Sequence, residues 1–284
     1  MKTFIADKNC KLSRFLLDAY SGSLSYSAFC RLLRKKDVKV NGKRTAKDVT
    51  VSVGDKVEVY FDDDKSVIDA TFRQYSTVYE DDMILIVDKN KGVTSENLFE
   101  RLKNDFGEVY FCHRLDRNTD GIMVFAKTDE AYRAIVEGFK KRDFDKIYLA
   151  TVYGVFDKKH EVLTAYLTKD AENSVVRVTD ERAVGSRLIR TEYLVIDEQA
   201  DRSTVLVRLL TGRTHQIRAH LKHAGHFILG DGKYGVNRIN KAFKIDMLML
   251  TSVKITLSFD NDSPLSYLDG KTFVKKGYEN LPAI

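Results

Sequence analysis

Cysteine is scarce in this chain, and Cys10, Cys30 and Cys112 stand far apart with no CxxC pair among them. That excludes a disulfide framework and a cysteine-built zinc site, and it suits a reducing cytoplasm. Proline is scarcer still. Pro264 and Pro282 both fall near the C-terminus, so no proline-rich linker divides the chain. Long apolar runs are missing: no stretch approaches the roughly 20 residues that span a bilayer. The opening Met1 to Lys8 has no apolar segment of the secretory kind. A cytoplasmic protein with no membrane partner is the expectation. Against these absences stand 284 residues with 43% apolar and 31% charged side chains. That is an ordinary globular composition, sufficient for one large domain with an appendage or for two domains.

The charge is unevenly placed. Residues 1–62 hold 13 basic and 7 acidic side chains, a net of +6 that equals the net charge of the whole chain. A basic module attached to a neutral body suggests a polyanion partner such as nucleic acid, although a solvated basic face would look the same. The pattern Leu12, Phe15, Leu16 predicts a short helix over Leu12 to Leu17. A second is expected from Ser25 to Lys36, with Ser25 or Ser27 as its cap and Phe29, Leu32 and Leu33 as its buried stripe. Asn41-Gly42 between apolar alternations signals a hairpin, and Val51 to Phe61 supplies further strands. Residues 63–72 are polar and aperiodic and read as a linker, leaving 73–284 as the body.

The body centres on His113-Arg114-Leu115-Asp116-Arg117-Asn118-Thr119-Asp120-Gly121, lying between the apolar runs Val109 to Cys112 and Ile122 to Ala126. Strand, charged loop, strand is the simplest reading. Asp116 sits between two arginines, which favour its ionised form, as a nucleophile or base requires. The other reading is an ordinary turn residue, which local chemistry alone favours. A strand over Met83 to Val87 precedes this stretch, and a helix is expected over Asn97 to Asn104. Thr128 is placed to cap a helix over Asp129 to Lys141, and Lys146 to Gly154 alternates as a strand. Four more strands are expected, over Val162 to Leu167, Ser174 to Thr179, Arg187 to Asp197 and Thr204 to Leu210. Thr214 is then expected to cap a helix whose stripe is Ile217, Leu221 and Ala224, with Arg213 at the strand-to-helix junction pointing into a cleft. Two last strands, Met247 to Leu250 and Val253 to Phe259, precede a polar tail. Helices mixed with many antiparallel-looking strands make an α+β body.

Residues 12–61, with two helices followed by "VKVNGK" and "VSVGDKVEVYF", resemble an S4 RNA-binding domain, a small α/β fold. The resemblance implies that Arg31, Arg34, Lys35, Lys36, Lys39, Lys43 and Arg44 track an RNA backbone, which would make binding salt-dependent. "HRLDRNTDGIMVFAKT", "KIYLATVYG", "LTGRTHQIRAHL" and "GDGKYG", in that order, resemble an RluA-type pseudouridine synthase. Together with the S4-like segment the resemblance covers roughly residues 12–260. It implies a pseudouridine synthase fold with a large mixed, mostly antiparallel sheet. It also implies isomerisation of uridine in RNA with no cofactor and no metal: the N1–C1′ bond breaks, the uracil turns, and C5 bonds to C1′. Carried over position by position, the catalytic aspartate is Asp116, the active-site tyrosine is Tyr148, and the arginine salt-bridged to the aspartate is Arg213. His113, Arg114 and Arg117 are expected to hold RNA backbone or fill the place of a flipped base, with a structural salt bridge as the other reading of Arg114.

The chain departs from the family where Asn90 replaces the usual proline after Lys89 and where Asp120 replaces the usual serine. Asp120 is expected to add negative charge near RNA. His215, His220, His223 and His226 lack zinc-ligand spacing, and a glycosidase would need a second paired carboxylate. An S4-type domain favours ribosomal RNA as partner, with transfer RNA open, and a monomer is expected. The alternative is an RNA-binding or ribosome-assembly factor whose synthase body is inactive.

Overall fold

Asn41 and Gly42 both take positive φ, 49° and 77°, the backbone that a two-residue hairpin turn with the right twist demands. In this computed structural model, which describes residues 2–20, 24, 26–60, 74–170 and 175–284 (backbone alone at 26–28), that turn joins β3 to β4. The chain divides into two compact units, Met1–Gln74 and Tyr75–Ile284. The first runs β1 (Lys2–Ile5), β2 (Cys10–Lys11), α1 (Leu12–Ala19), α2 (Tyr26–Lys35), β3 (Val38–Val40), β4 (Lys43–Thr45), β5 (Thr50–Val51) and β6 (Lys56–Val59). Four of its strands form a sheet in the order β1-β6-β3-β4, and β2 pairs with β5.

Two apolar stripes close this unit. Leu12, Phe15 and Leu16 of α1 meet Phe29, Leu32 and Leu33 of α2 over Val38, Val57 and Val59 of the sheet. Asp48 caps α1 from a distant turn, accepting hydrogen bonds from the Ser13 N–H at 2.8 Å and hydroxyl at 2.7 Å. Arg31, Arg34, Lys35, Lys36, Lys43 and Arg44 are exposed. Lys39 is half-buried, its ammonium 3.0 Å from the Tyr60 hydroxyl, and Arg44 lies 5.5 Å from the same ring. The expected Ser25 cap and the expected linker 63–72 lie outside the described residues, as does the Ser27 side chain.

The second unit is built on one sheet. Its elements are β7 (Tyr75–Glu80), β8 (Ile84–Lys89), α3 (Ser95–Phe106), β9 (Tyr110–Phe111), β10 (Asp120–Ala126), α4 (Asp129–Lys141), β11 (Asp145–Tyr153), β12 (His160–Asp170), β13 (Val175–Thr179), β14 (Arg187–Gln199), β15 (Arg202–Leu209), α5 (Gln216–His223), α6 (Asn237–Ala242), β16 (Leu250–Thr256) and β17 (Thr272–Val274). The strand order is β13-β12-β14-β15-β11-β16-β10-β8-β7, with β9 on β10 and β17 on β16. All the named pairings are antiparallel except β10 with β16. The sheet is therefore mixed and mostly antiparallel.

Burial follows the sequence pattern. β8 and β10 are near-continuous apolar runs because both their faces are covered. Thr128 caps α4 by accepting the Ala131 N–H at 3.1 Å, and Ala131 and Ile135 turn onto Ile122 and Val124 of β10. The C-terminus differs from expectation. Only one strand, β16, occupies residues 247–259, because Met247 and Met249 face outward before Leu250 enters the sheet. The supposed polar tail pairs β17 with β16, and Tyr278, Leu281 and Ile284 then pack on Ile147, Leu206 and Val253. Isolated apolar residues spaced among charged ones gave no periodic signal there.

Gly121 opens β10 at φ 114°, and a Cβ on it would sit 2.0 Å from the Ser252 carbonyl oxygen of β16. Only glycine lets these two parallel strands meet one residue beyond the Asp116 loop. Gly121→Ala is expected to cost on the order of 2 kcal/mol or more. An unfolding midpoint equal to wild type in urea would contradict this.

Candidate active site

Asp116 lies in a tight turn between β9 and β10, its carbonyl accepting the Thr119 N–H at 3.0 Å. Lys89, at the end of β8 and fully buried, clamps the same turn. Its ammonium donates to the carbonyls of Val93 at 2.9 Å and of Asn90 and Arg117 at 3.3 Å. Burial pushes Lys89 down to about 8, against the pull of Asp120 and Asp116. Ser95 at the start of α3 ties the other side, donating to the Leu115 carbonyl at 2.8 Å and accepting its N–H at 3.0 Å. Backbone held at this many points presents the Asp116 side chain in one place.

The arginine that meets Asp116 is Arg218, not Arg213. Arg218 Nη1 donates to Asp116 Oδ2 at 2.7 Å. Its other edge grips Asp231, with Nε to Oδ2 at 2.8 Å and Nη2 to Oδ1 at 2.9 Å. Asp231 is wholly buried and also accepts the N–H groups of Lys233 and Tyr234 at 2.8 and 3.0 Å. Its pKa is lowered; burial alone would raise it, but the bonds and charge of Arg218 overcome that cost. Arg218 is correspondingly raised, again against burial. Arg213 is exposed at the cleft rim, where its N–H donates to Gln216 Oε1 at 3.1 Å. The geometry of the junction explains the exchange. His215, not Thr214, precedes α5, and its left-handed φ of 54° rotates the chain so that the first helical turn, with Arg218, faces inward. The fold places Arg218 among the buried Ile217, Ala219 and Leu221, where an arginine requires a carboxylate partner.

His215 completes the surround. The Val176 N–H donates to the Tyr234 hydroxyl at 2.9 Å, so the Tyr234 proton is directed at His215 Nδ1, also 2.9 Å away. The neutral imidazole then carries its proton on Nε2, which faces Asp116 Oδ1 at 3.8 Å. Burial lowers His215 and so favours that neutral form. Arg218 holds one oxygen of Asp116, and the other is left open beside an N–H donor.

Asp116, His215 and Arg218 line a cleft of about 550 Å³ that also includes Tyr148, His113, Phe139 and Lys146. Tyr148 is on β11 between Val207 of β15 and Ser252 of β16, beside a bulge at Ile147. It is buried, and burial first and the charge of Asp116 second raise its hydroxyl above the usual tyrosine range. Tyr148 is thus a neutral phenol able to stack and donate; the phenolate a base would need is disfavoured.

The remaining expected RNA contacts sort unevenly. Arg114 is exposed and pairs with Glu96 at 3.2 Å. Arg117 is turned inward, its Nε donating to the Gly92 carbonyl at 3.0 Å, and so is scaffold. His113 is scaffold too: its Nε2 accepts the Val124 N–H at 2.9 Å and its ring lies 4.5 Å from Phe139. Asp120 is engaged within the fold. It accepts the Thr251 hydroxyl at 2.8 Å and pairs with Lys91 at 3.4 Å and Lys275 at 3.5 Å. Among the clustered histidines, His220 bonds Thr191, His223 bonds Asp180, and His226 stacks on Phe156.

The family model for RNA pseudouridylate synthases matches residues 82–223, the span that carries Asp116, Tyr148 and Arg218. The chain belongs to the RNA pseudouridylate synthase family. It is 30% identical to "Ribosomal large subunit pseudouridine synthase C" of Vibrio cholerae over 81% of this chain and 79% of that protein. Against the protein of the same name from Escherichia coli K12 it is 30% identical, over 79% and 76%. Among solved structures it is similar to "Human RNA Pseudouridylate Synthase Domain Containing 1", with TM-score 0.59 and 26% identity, covering 66% of this chain and 80% of that one. The second unit therefore has the pseudouridine synthase fold.

His113 gives this synthase site a pH signature. Burial, aided by the charge of Lys146, pushes it down to about 3, whereas an unfolded histidine titrates near 6.5. Between those values the unfolded chain binds more protons, so stability is full above about pH 6.5 and declines as pH falls toward 3. His220, pushed down to about 4 by burial, adds to the decline in the same window. His113→Gln keeps an acceptor without the titration and is expected to flatten the fall in unfolding midpoint between pH 7 and 4. Equal pH slopes for the two proteins would contradict it.

Proposed function

We propose that this chain isomerises uridine to pseudouridine in large-subunit ribosomal RNA, with Asp116 as the reacting carboxylate. The observation that carries the reading is the carboxylate of Asp116, one oxygen pinned by Arg218 and the other open toward the cleft beside Tyr148. The family and the relatives' names support an isomerase acting on RNA, and those relatives are named for the ribosomal large subunit.

The chemistry follows from what each group can do. A uridine inside a helix must be flipped out to enter a cleft of this kind. Tyr148 offers the extruded base a buried ring to stack on. Breaking the N1–C1′ bond builds positive charge on the ribose, which an anionic Oδ1 beside it stabilises. That oxygen either bonds to C1′ or takes the C2′ proton, and both routes need Oδ2 held away by Arg218. The uracil then turns and C5 bonds to C1′; the C5 proton leaves last. Arg213, exposed at the rim, is better suited to RNA backbone than to the aspartate, as is Arg114. No metal or cofactor enters these steps.

The N-terminal unit is assigned the S4 type and an RNA-holding role. Support comes from the two-helix-and-hairpin order and from the exposed Arg31, Arg34, Lys35, Lys36 and Lys43, with Lys39 and Arg44 packed around Tyr60. Domain bounds of 1–62 and 73–284 follow from it, in a cytoplasmic monomer.

Two outcomes test the reading. With 5-tritiated uridine in ribosomal RNA, Asp116→Ala is expected to release no detectable tritium while binding RNA within about threefold of wild type; equal loss of both would make Asp116 structural. Removal of residues 1–62 is expected to weaken binding and flatten its salt dependence. An unchanged affinity would refute the role of that unit.

A further inference from the structure

We propose that Lys146 and Arg142 form a seat for a backbone phosphate flanking the target uridine, which deepens the uridine-isomerising reading and rests on it. Lys146 and Tyr148 are two residues apart on β11, so both side chains leave the same face of the sheet roughly 6.6 Å apart. Both line the cleft. The Lys146 ammonium lies 5.0 Å over the Phe139 ring, on the side of the cleft closed by the end of α4. Its sequence neighbour Asp145 is paired with Arg208 at 3.0 Å. Among the described residues no carboxylate comes within ion-pair distance of Lys146 or of Arg142.

The other cations of this wall have local explanations. Lys140 and Lys141 sit in the last turn of α4, where the helix dipole favours positive charge, and Lys140 also approaches Glu137 at 3.6 Å. Neither explanation reaches Lys146, which is on a strand. Arg142 occupies the left-handed C-cap of α4 at φ 71°, a position where glycine is least strained. An arginine kept there, lining the cleft next to a second unpaired cation, costs backbone strain and mutual repulsion in the free protein. Burial depresses the Lys146 pKa; the charge of Asp145 pulls it back up, and the charge of Arg142 adds a smaller depression. A bound anion offsets the repulsion between the two cations and the cost of burying the Lys146 charge. The partner of this cleft is a polyanion, and a phosphate beside the flipped nucleotide is the anion nearest to a base stacked on Tyr148.

The test uses transcribed large-subunit ribosomal RNA and reads affinity against salt together with the single-turnover rate at saturating RNA. Lys146→Met is expected to weaken binding about 5- to 10-fold and to lower the log–log salt slope by roughly 0.7 to 0.9, one phosphate contact. Lys146→Arg should restore affinity and slope. Arg142→Gly removes the strain at φ 71°, so it should raise the unfolding midpoint while weakening binding and lowering the slope in the same way. That variant separates the seat from a folding defect. A more stable Arg142→Gly protein that binds like wild type would overturn the seat. So would Lys146→Met with an unchanged slope, whether or not its saturated rate falls. Binding is read without turnover: if wild type released no tritium, the isomerase reading would fall while the slopes still decided the seat.

Discussion

One guanidinium joined to two carboxylates organises the site. Arg218 spends two donors on a wholly buried Asp231 and a third on Asp116. A buried arginine is stable only when its charge is matched and its donors are used, and Asp231 does both. The bidentate grip fixes the plane of the guanidinium, so the third donor points one way. Asp116 is therefore positioned by a partner that cannot itself rotate. Because Arg218 and Asp231 compensate each other at close range, the Asp116 carboxylate is met by an anchored donor instead of a mobile one.

Several features of the second unit serve that alignment. Asp116 and Arg218 are 102 residues apart in the chain. The sheet brings them together by inserting β16 between β10 and β11, a placement that depends on Gly121 touching the backbone of Ser252. Lys89 and Ser95 fix the loop on one side; the left-handed His215 turns α5 to meet it on the other. The Asp120 network ties the same corner to the C-terminal segment through Lys275, which also pairs with Asp88 at 2.5 Å. Rigid strands thus carry the site.

What the sequence made legible was local. The α4 cap at Thr128, the Asn-Gly hairpin and the alternation of the strands depend on residues a few positions apart, and the structure has them. The choice between Arg213 and Arg218 depends on which way a helix faces after a left-handed residue, and no local pattern encodes a histidine at φ 54°. The roles of Arg117 and Asp120 depended on burial, which neighbouring charges disguise: both read as surface contacts and both are turned into the fold. The C-terminal residues escaped because their partners, Ile147, Leu206 and Val253, are dispersed over the chain. Asp231 stood in view inside a glycine-rich turn, but nothing short of the fold shows its partner.

Arg218, held by Asp231, is the group that aligns Asp116. The most direct measurement compares single-turnover tritium release by Arg218→Lys and Arg213→Lys, each at saturating ribosomal RNA. Lysine keeps the charge but cannot grip Asp231 with two donors and reach Asp116 with a third. Arg218→Lys is expected to slow the reaction by about 100-fold, the scale of an ångström-sized misplacement, while Arg213→Lys stays within a few-fold of wild type. A wild-type rate for Arg218→Lys, or the larger loss at Arg213, would contradict it.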